Sequence, residues 1–165
     1  MQAAPIPDNE VERLQALHNL LLLDTPPEER FDRVVRFAAE ELDVPIALVT
    51  FIDTQRQWFK SRLGIDINET ARNISFCAHA INQSDLFVVD DASKDERFFD
   101  NPLVIGFPYI RFYAGAPVRA PSGERVGTLC IIDTKPRELG EIEQAVMNAL
   151  RQLVDEALAG EEGDA

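Results

Sequence analysis

The chain has little sulfur, little positive charge and no long apolar run, and each shortage excludes something. Two cysteines, Cys77 and Cys130, occur in 165 residues. They lack the close spacing of a zinc motif and are too few for a disulfide framework, so reduced thiols and a cytoplasmic setting are expected. Sixteen Lys and Arg face twenty-nine Asp and Glu, a formal charge of −13. That balance would repel phosphates, so nucleic acid is not an expected partner and the acidity serves solubility. No apolar run approaches the ~20 residues of a membrane span. The opening MQAAPIPDNEVERL has neither a basic start nor an apolar h-region, so no membrane contact and no secretory signal are expected. What is present argues for a packed core: 45% hydrophobic residues and ten phenylalanines in a length that suits one domain.

Residues 1–8 read as a flexible lead-in, 9–158 as the domain and 159–165 as a flexible acidic tail. Asn9 with Glu12 forms a candidate capping box, and a helix is expected to run to about Leu23. Val11, Leu14, Leu17 and Leu21 make its stripe, widened by Leu20, Leu22 and Leu23. Thr25-Pro26-Pro27-Glu28 predicts a second helix capped by Thr25, with Phe31, Val34, Val35, Ala38 and Leu42 inward. Val44 to Asp53 predicts a strand covered on both faces, and Gln57 to Arg62 its hairpin partner. A short helix is expected at Ser75 to Asn82, a short strand at Leu86 to Val89, and a helical turn at Asp95 to Phe99. Ile110–Val118 and Val126–Asp133 predict a hairpin around Pro121-Ser122-Gly123. Glu138 to Leu158 reads as a closing helix striped by Ile142, Val146, Leu150, Leu153, Val154 and Ala157. Hairpins flanked by helices indicate an α+β fold on an antiparallel sheet rather than repeated βαβ units.

Several phrases stand in a telling order: LLLDTPPEERFDRVVRFAAEELDVPIALVTFID, RQWFKSRLG, SFCAHAI, VVDDASKDERFFDNPLV, RFYAGAPV and GTLCIID. Together they resemble the GAF domain, a small-molecule sensing module of bacterial signalling proteins, of the type found before histidine kinases and diguanylate cyclases. The resemblance spans Arg13 to Leu158. It implies a central antiparallel sheet of five to six strands, with the N- and C-terminal helices on one face and short helices and loops over the other. It also implies an unknown small-molecule ligand and an output domain such as a kinase or cyclase, separate or deleted, since no such domain follows Leu158. The resemblance implies a non-enzymatic sensor, with no cofactor. Two alternatives stay open: a thiol redox enzyme of the free methionine sulfoxide reductase type, and a ligand-free dimerisation module. The reductase pattern places a cysteine in the loop before the penultimate strand, and Ala92 to Tyr109 has none. A bilin setting needs Cys followed directly by His, and Ala78 intervenes. Lys94, Asp95, Glu96, Phe98 and Asn101 are in the wrong order for the cyclic-nucleotide set.

Candidate pocket residues are Cys77, His79, Asp90, Arg111, Tyr113 and Cys130; no catalytic residue and no metal ligand is assigned. Cys77 and His79 do not share a helix face at their spacing. Both cysteines suit the core as small hydrophobes, or pair if they come within reach. Asp90, Asp91, Asp95, Glu96 and Asp100 read as a solvated loop with helix caps at Asp91 or Ser93. Arg111 and Tyr113 fall on one strand face and Phe112 on the other, with Arg111 able to grip an anion or to pair with Asp90 or Asp91. Gly115 and Pro117 fit a strand that bends or allows a close backbone approach. Trp58 is expected to pack under a helix. The surplus leucines of the first helix, with the last helix, point to a homodimer.

Overall fold

Strand β1 (Ile46–Ile52) is buried at every residue, as a non-alternating apolar run predicts for a strand covered on both faces. The computed structural model describes residues 1–160, so the expected tail lies largely outside the described residues. β1 pairs with β2 (Arg56–Leu63) on one side and β6 (Arg125–Asp133) on the other. β3 (Glu69–Ala71), β4 (Phe87–Val89) and β5 (Phe112–Arg119) complete a six-stranded sheet of order β3-β2-β1-β6-β5-β4, antiparallel throughout. β3 carries no alternating pattern and is not legible in the sequence.

Alternation divides the core between the two faces of the sheet. Ala47, Val49, Phe51, Ala114, Leu129 and Ile131 face helices α1 (Glu10–Asn19), α2 (Glu29–Glu41) and α5 (Glu141–Leu158). Leu48, Tyr113, Cys130 and Ile132 face α3 (Phe76–Ala80), α4 (Pro102–Ile105) and their loops. Both terminal helices therefore lie on one face and the short helices on the other, as expected. Trp58 joins the helix-covered face, stacked on Phe51 at 6.4 Å.

Three expected helix boundaries are corrected. Asn9 makes no side-chain cap, and α1 stops at Asn19 instead of reaching Leu23. Leu21 and Asp24 take left-handed φ values of 56° and 61°, a conformation that ends a right-handed helix. The four leucines thus lie in a turn: Leu22 is buried, Leu20 and Leu23 are half-buried, and Leu21 is 81% exposed. Inside α1 the buried set is Arg13, Ala16 and Leu17; of the predicted stripe Leu17 is buried and Leu14 half-buried, while Val11 is 76% exposed. The second helix starts after Glu28, which holds the N-cap position without a side-chain cap, and Thr25 does not cap it: the Thr25 hydroxyl donates to the Leu22 carbonyl at 2.5 Å. The closing helix begins at Glu141, three residues after the predicted start, because the Glu143 carboxylate caps it by accepting from Gly140 N–H at 3.0 Å.

The 24–28 segment is held by a lysine. Val49 pairs with Ser61 and Thr50 with Phe59, leaving Lys60 as the extra residue of a β-bulge. The bulge turns Lys60 and Ser61 to the same side. Lys60 Nζ reaches Thr25 Oγ1, the Pro26 carbonyl and a Glu28 carboxylate oxygen at 2.7, 2.7 and 2.6 Å, and Ser61 donates to Asp32 at 2.5 Å. Three acceptors for three ammonium protons satisfy a fully buried charge.

Candidate functional site: a buried thiol pair beside a small cavity

On the second face, the short helix, β5 and β6 bring three of the six predicted residues together. Ser75 caps α3 by accepting from Ala78 N–H at 3.1 Å, which aims Cys77 at the sheet. Cys77 Sγ lies 3.8 Å from Cys130 Sγ on β6. Tyr113 on β5 donates its hydroxyl to Cys77 Sγ at 3.0 Å, and Thr128 Oγ1 donates to the same sulfur at 3.0 Å. Thr128 also meets Thr50 Oγ1 at 3.1 Å across the β1–β6 pair. All five side chains are buried.

Gly115 is the residue that makes this arrangement fit. A Cβ there would stand 2.2 Å from the Tyr113 hydroxyl oxygen, so the tyrosine folds along its own strand over the glycine to reach Cys77. The glycine serves a side chain, not the strand bend or backbone approach expected of it. Thr50 and Thr128 were also missed as site residues. The signal was present, since a hydroxyl inside a strand covered on both faces must find a buried partner.

The electrostatics differ sharply between the two thiols. Burial pushes Cys77 up, but donors from Cys130, Thr128, Tyr113 and Thr50 outweigh it and bring the group to about 7. Burial and the neighbouring Cys77 push Cys130 well up. Tyr113 is raised by burial and by the two cysteines, so it acts as a donor.

The other predicted residues lie apart. His79 sits on the outer side of α3, edge-on to Phe98 at 4.8 Å, with Nε2 donating to the Gln2 carbonyl at 3.0 Å. Burial lowers its pKa, with the Gln2 carbonyl opposing, so the ring is neutral near pH 7. Asp90 is exposed, and its main-chain carbonyl accepts from Arg137 N–H at 3.2 Å. Arg111 pairs with neither Asp90 nor Asp91: it donates to the carbonyls of Val104 and Ile110 at 3.0 and 2.9 Å. It lies just outside β5, where it secures α4 instead of reaching the acidic loop. Asp91 caps a 3₁₀ turn (Ala92–Lys94) by accepting from Ser93 N–H. Among the described residues no group of His, Cys, Asp and Glu converges to hold a metal.

A cavity of about 30 Å³ lies beside Cys77, walled by Leu48, Phe59, Phe76, Tyr113 and Ile132 and roofed by Ile65, Ile67, Leu103 and Pro108. That holds one or two waters and is about a tenth of the smallest drug-sized pocket. A wider groove of about 780 Å³ runs between α2 and β2. Its charged groups are already engaged, Asp24 with Arg56, Asp32 with Ser61, Arg36 with Glu29, Lys60 with Glu28 and Arg62 with Asp66. The small cavity, with its converging donors, is therefore the better candidate site.

The family described as GAF domain matches residues 26–158. A cyclic di-GMP phosphodiesterase of Pseudomonas aeruginosa is 43% identical over 155 residues, 93% of this chain. The chain spans 26% of that protein's length. The structure is similar to that of a free methionine-R-sulfoxide reductase from Neisseria meningitidis in complex with its substrate, with a TM-score of 0.66, 12% identity and complete coverage of both chains. It is also similar to the GAF domain of a phosphoenolpyruvate-protein phosphotransferase from Coxiella burnetii, with a TM-score of 0.65, 16% identity and coverage of 96% of this chain and 100% of that one. At those identities the structures speak to fold alone. The Pseudomonas relative overturns one expectation. The chain was expected to be non-enzymatic, yet this relative is named as an enzyme, although only its GAF part is matched. A family match across most of the chain, the six-stranded sheet and its division of helices between two faces agree: the chain belongs to the GAF domain family.

Proposed function

We propose that the chain is a small-molecule sensory and regulatory domain of a bacterial signalling protein, working in the cytoplasm beside a cyclic di-GMP phosphodiesterase output. The observation that carries this reading is the 43% identity to a quarter of the Pseudomonas phosphodiesterase. Input enters on the second face at the cavity of Cys77 and Tyr113, and output leaves through the helices on the first. β5 and β6 connect the two, because alternate residues of each strand face opposite layers. Tyr113 stands between Phe112 and Ala114, and Cys130 between Leu129 and Ile131. A shift at the cavity thus bears directly on the residues under α5.

Output in this reading runs through a homodimer, in a form altered from the leucine-rich interface expected of α1. Ile142 is 82% exposed and Leu153, three turns on, 41% exposed. With the exposed Ala149 they form an apolar stripe along the outer side of α5. A second copy packed along that stripe would bury it. Sedimentation equilibrium tests this: the chain is expected to be a dimer, and Ile142→Asp with Leu153→Asp a folded monomer. A wild-type monomer at tens of micromolar would remove the helix interface.

A second reading, a ligand-free dimerisation module, is favoured by one observation: the cavity is nearly filled by the protein's own side chains. Native mass spectrometry separates the two. A dimer carrying a non-covalent mass supports the sensor, and a bare dimer under all conditions supports the module.

A further inference from the structure

We propose that Cys77 and Cys130 form an oxidisable pair, and that the cavity beside Cys77 admits a small uncharged hydroperoxide that converts them to a disulfide. This goes beyond the regulatory role and does not depend on the output domain.

The geometry favours a thiolate. A thiol sulfur is a weak acceptor, yet Tyr113 and Thr128 both donate to Cys77 at 3.0 Å and Cys130 lies at 3.8 Å. Gly115 leaves the room that the tyrosine needs. A cysteine acting only as a small hydrophobe needs no such set. The division of the two thiols agrees. Burial pushes Cys77 up, its donors outweigh that and bring it to about 7, and Cys130 stays protonated. Access selects the oxidant. The cavity touching Cys77 measures about 30 Å³, and the half-buried Ile65, Ile67 and Leu103 form its roof. Hydrogen peroxide, uncharged and little larger than water, fits; a bulky or charged disulfide does not.

The Cys77 thiolate attacks one peroxide oxygen: an S–O bond forms, the O–O bond breaks, and the departing hydroxide takes up the proton released by Cys77. The sulfur of Cys130 then attacks the sulfur of the Cys77 sulfenic acid. An S–S bond forms, the S–O bond breaks, and the second hydroxide leaves as water with the Cys130 proton. Two thiols lose two electrons in all, and one peroxide becomes two waters.

The test exposes the folded chain to hydrogen peroxide at pH 7, removes the oxidant, unfolds the protein, alkylates free thiols and weighs it. Expected are a loss of two hydrogens, no alkylation, and one peptide linking Cys77 to Cys130. Cys130→Ser is expected to stall as a sulfenic acid on Cys77 that dimedone captures. The nearly isosteric Tyr113→Phe and Thr128→Val should move the pH midpoint of the oxidation rate up by about one unit, roughly a fivefold loss of thiolate at pH 7 from a starting midpoint of about 7. Three results would overturn the proposal: full alkylation of both thiols after exposure, disulfides only between chains, or a pH midpoint unmoved in both variants.

Discussion

At the scale of single residues, the account rests on charges and hydroxyls placed where burial forces them to pair. Glu10 shows how. Its carboxylate receives Arg13 Nε at 2.7 Å and Arg72 Nη1 at 2.5 Å, while Arg13 Nη1 donates to the Ile52 carbonyl at 2.8 Å and Arg72 to that of Asp53 at 3.0 Å. One acid thereby ties α1 to the end of β1 and to the 3₁₀ turn at Arg72–Ile74. Burial alone would raise the Glu10 pKa, but the two guanidiniums outweigh it and hold it below the ordinary 4.5. Glu10→Gln leaves two buried guanidiniums without a counter-charge and should cost on the order of 3 kcal/mol near pH 7 in urea melts. A depressed carboxylate gives stability that is present above its unfolded value and lost as pH falls through the folded one. The gap between wild type and Glu10→Gln should therefore narrow below pH 4.5. A gap independent of pH would assign the loss to packing. Gly115→Ala belongs to the same scale. It should displace the Tyr113 hydroxyl from Cys77 and raise the Cys77 titration midpoint, read by the pH dependence of thiolate absorbance.

At the scale of elements, legibility follows the strength of the periodic signal. β1 and the β5–β6 hairpin could be read because buried strands are continuous apolar runs closed by a Pro-Ser-Gly turn. α2 could be read because Phe31, Val34, Val35 and Ala38 recur on one face. β3 and α4 could not: Glu69-Thr70-Ala71 and Pro102–Ile105 are shorter than any period, and contacts with β2 and the Asn101 cap define them. The Leu20–Leu23 run misled because composition favours helix while the left-handed turn at Leu21 and Asp24 follows from where the chain must go next. The candidate site was half legible. Cys77, Tyr113 and Cys130 stood out by residue type, but only cross-strand register joins them to Thr50, Thr128 and Gly115. Leu21→Gly removes a side chain from a left-handed position, so it should be neutral or stabilise by up to about 1 kcal/mol. Leu22→Ala should cost about 3 kcal/mol, as its buried side chain leaves a cavity. Equal losses in urea melts would mean that both leucines pack as a helix would place them.

At the scale of the whole molecule, one sheet serves two layers: a tightly filled, hydroxyl-lined thiol site on one face and a helical layer with an exposed apolar stripe on the other. The proposed role requires these layers to act together and on a neighbouring catalytic domain. The most direct measurement is cyclic di-GMP hydrolysis by the Pseudomonas phosphodiesterase with this chain in place of its matching segment. The account predicts that the graft hydrolyses the dinucleotide and that Ile142→Asp with Leu153→Asp changes the rate severalfold while leaving the graft folded. Hydrolysis that proceeds identically with the intact graft, with the double substitution and with the segment deleted would contradict a regulatory domain.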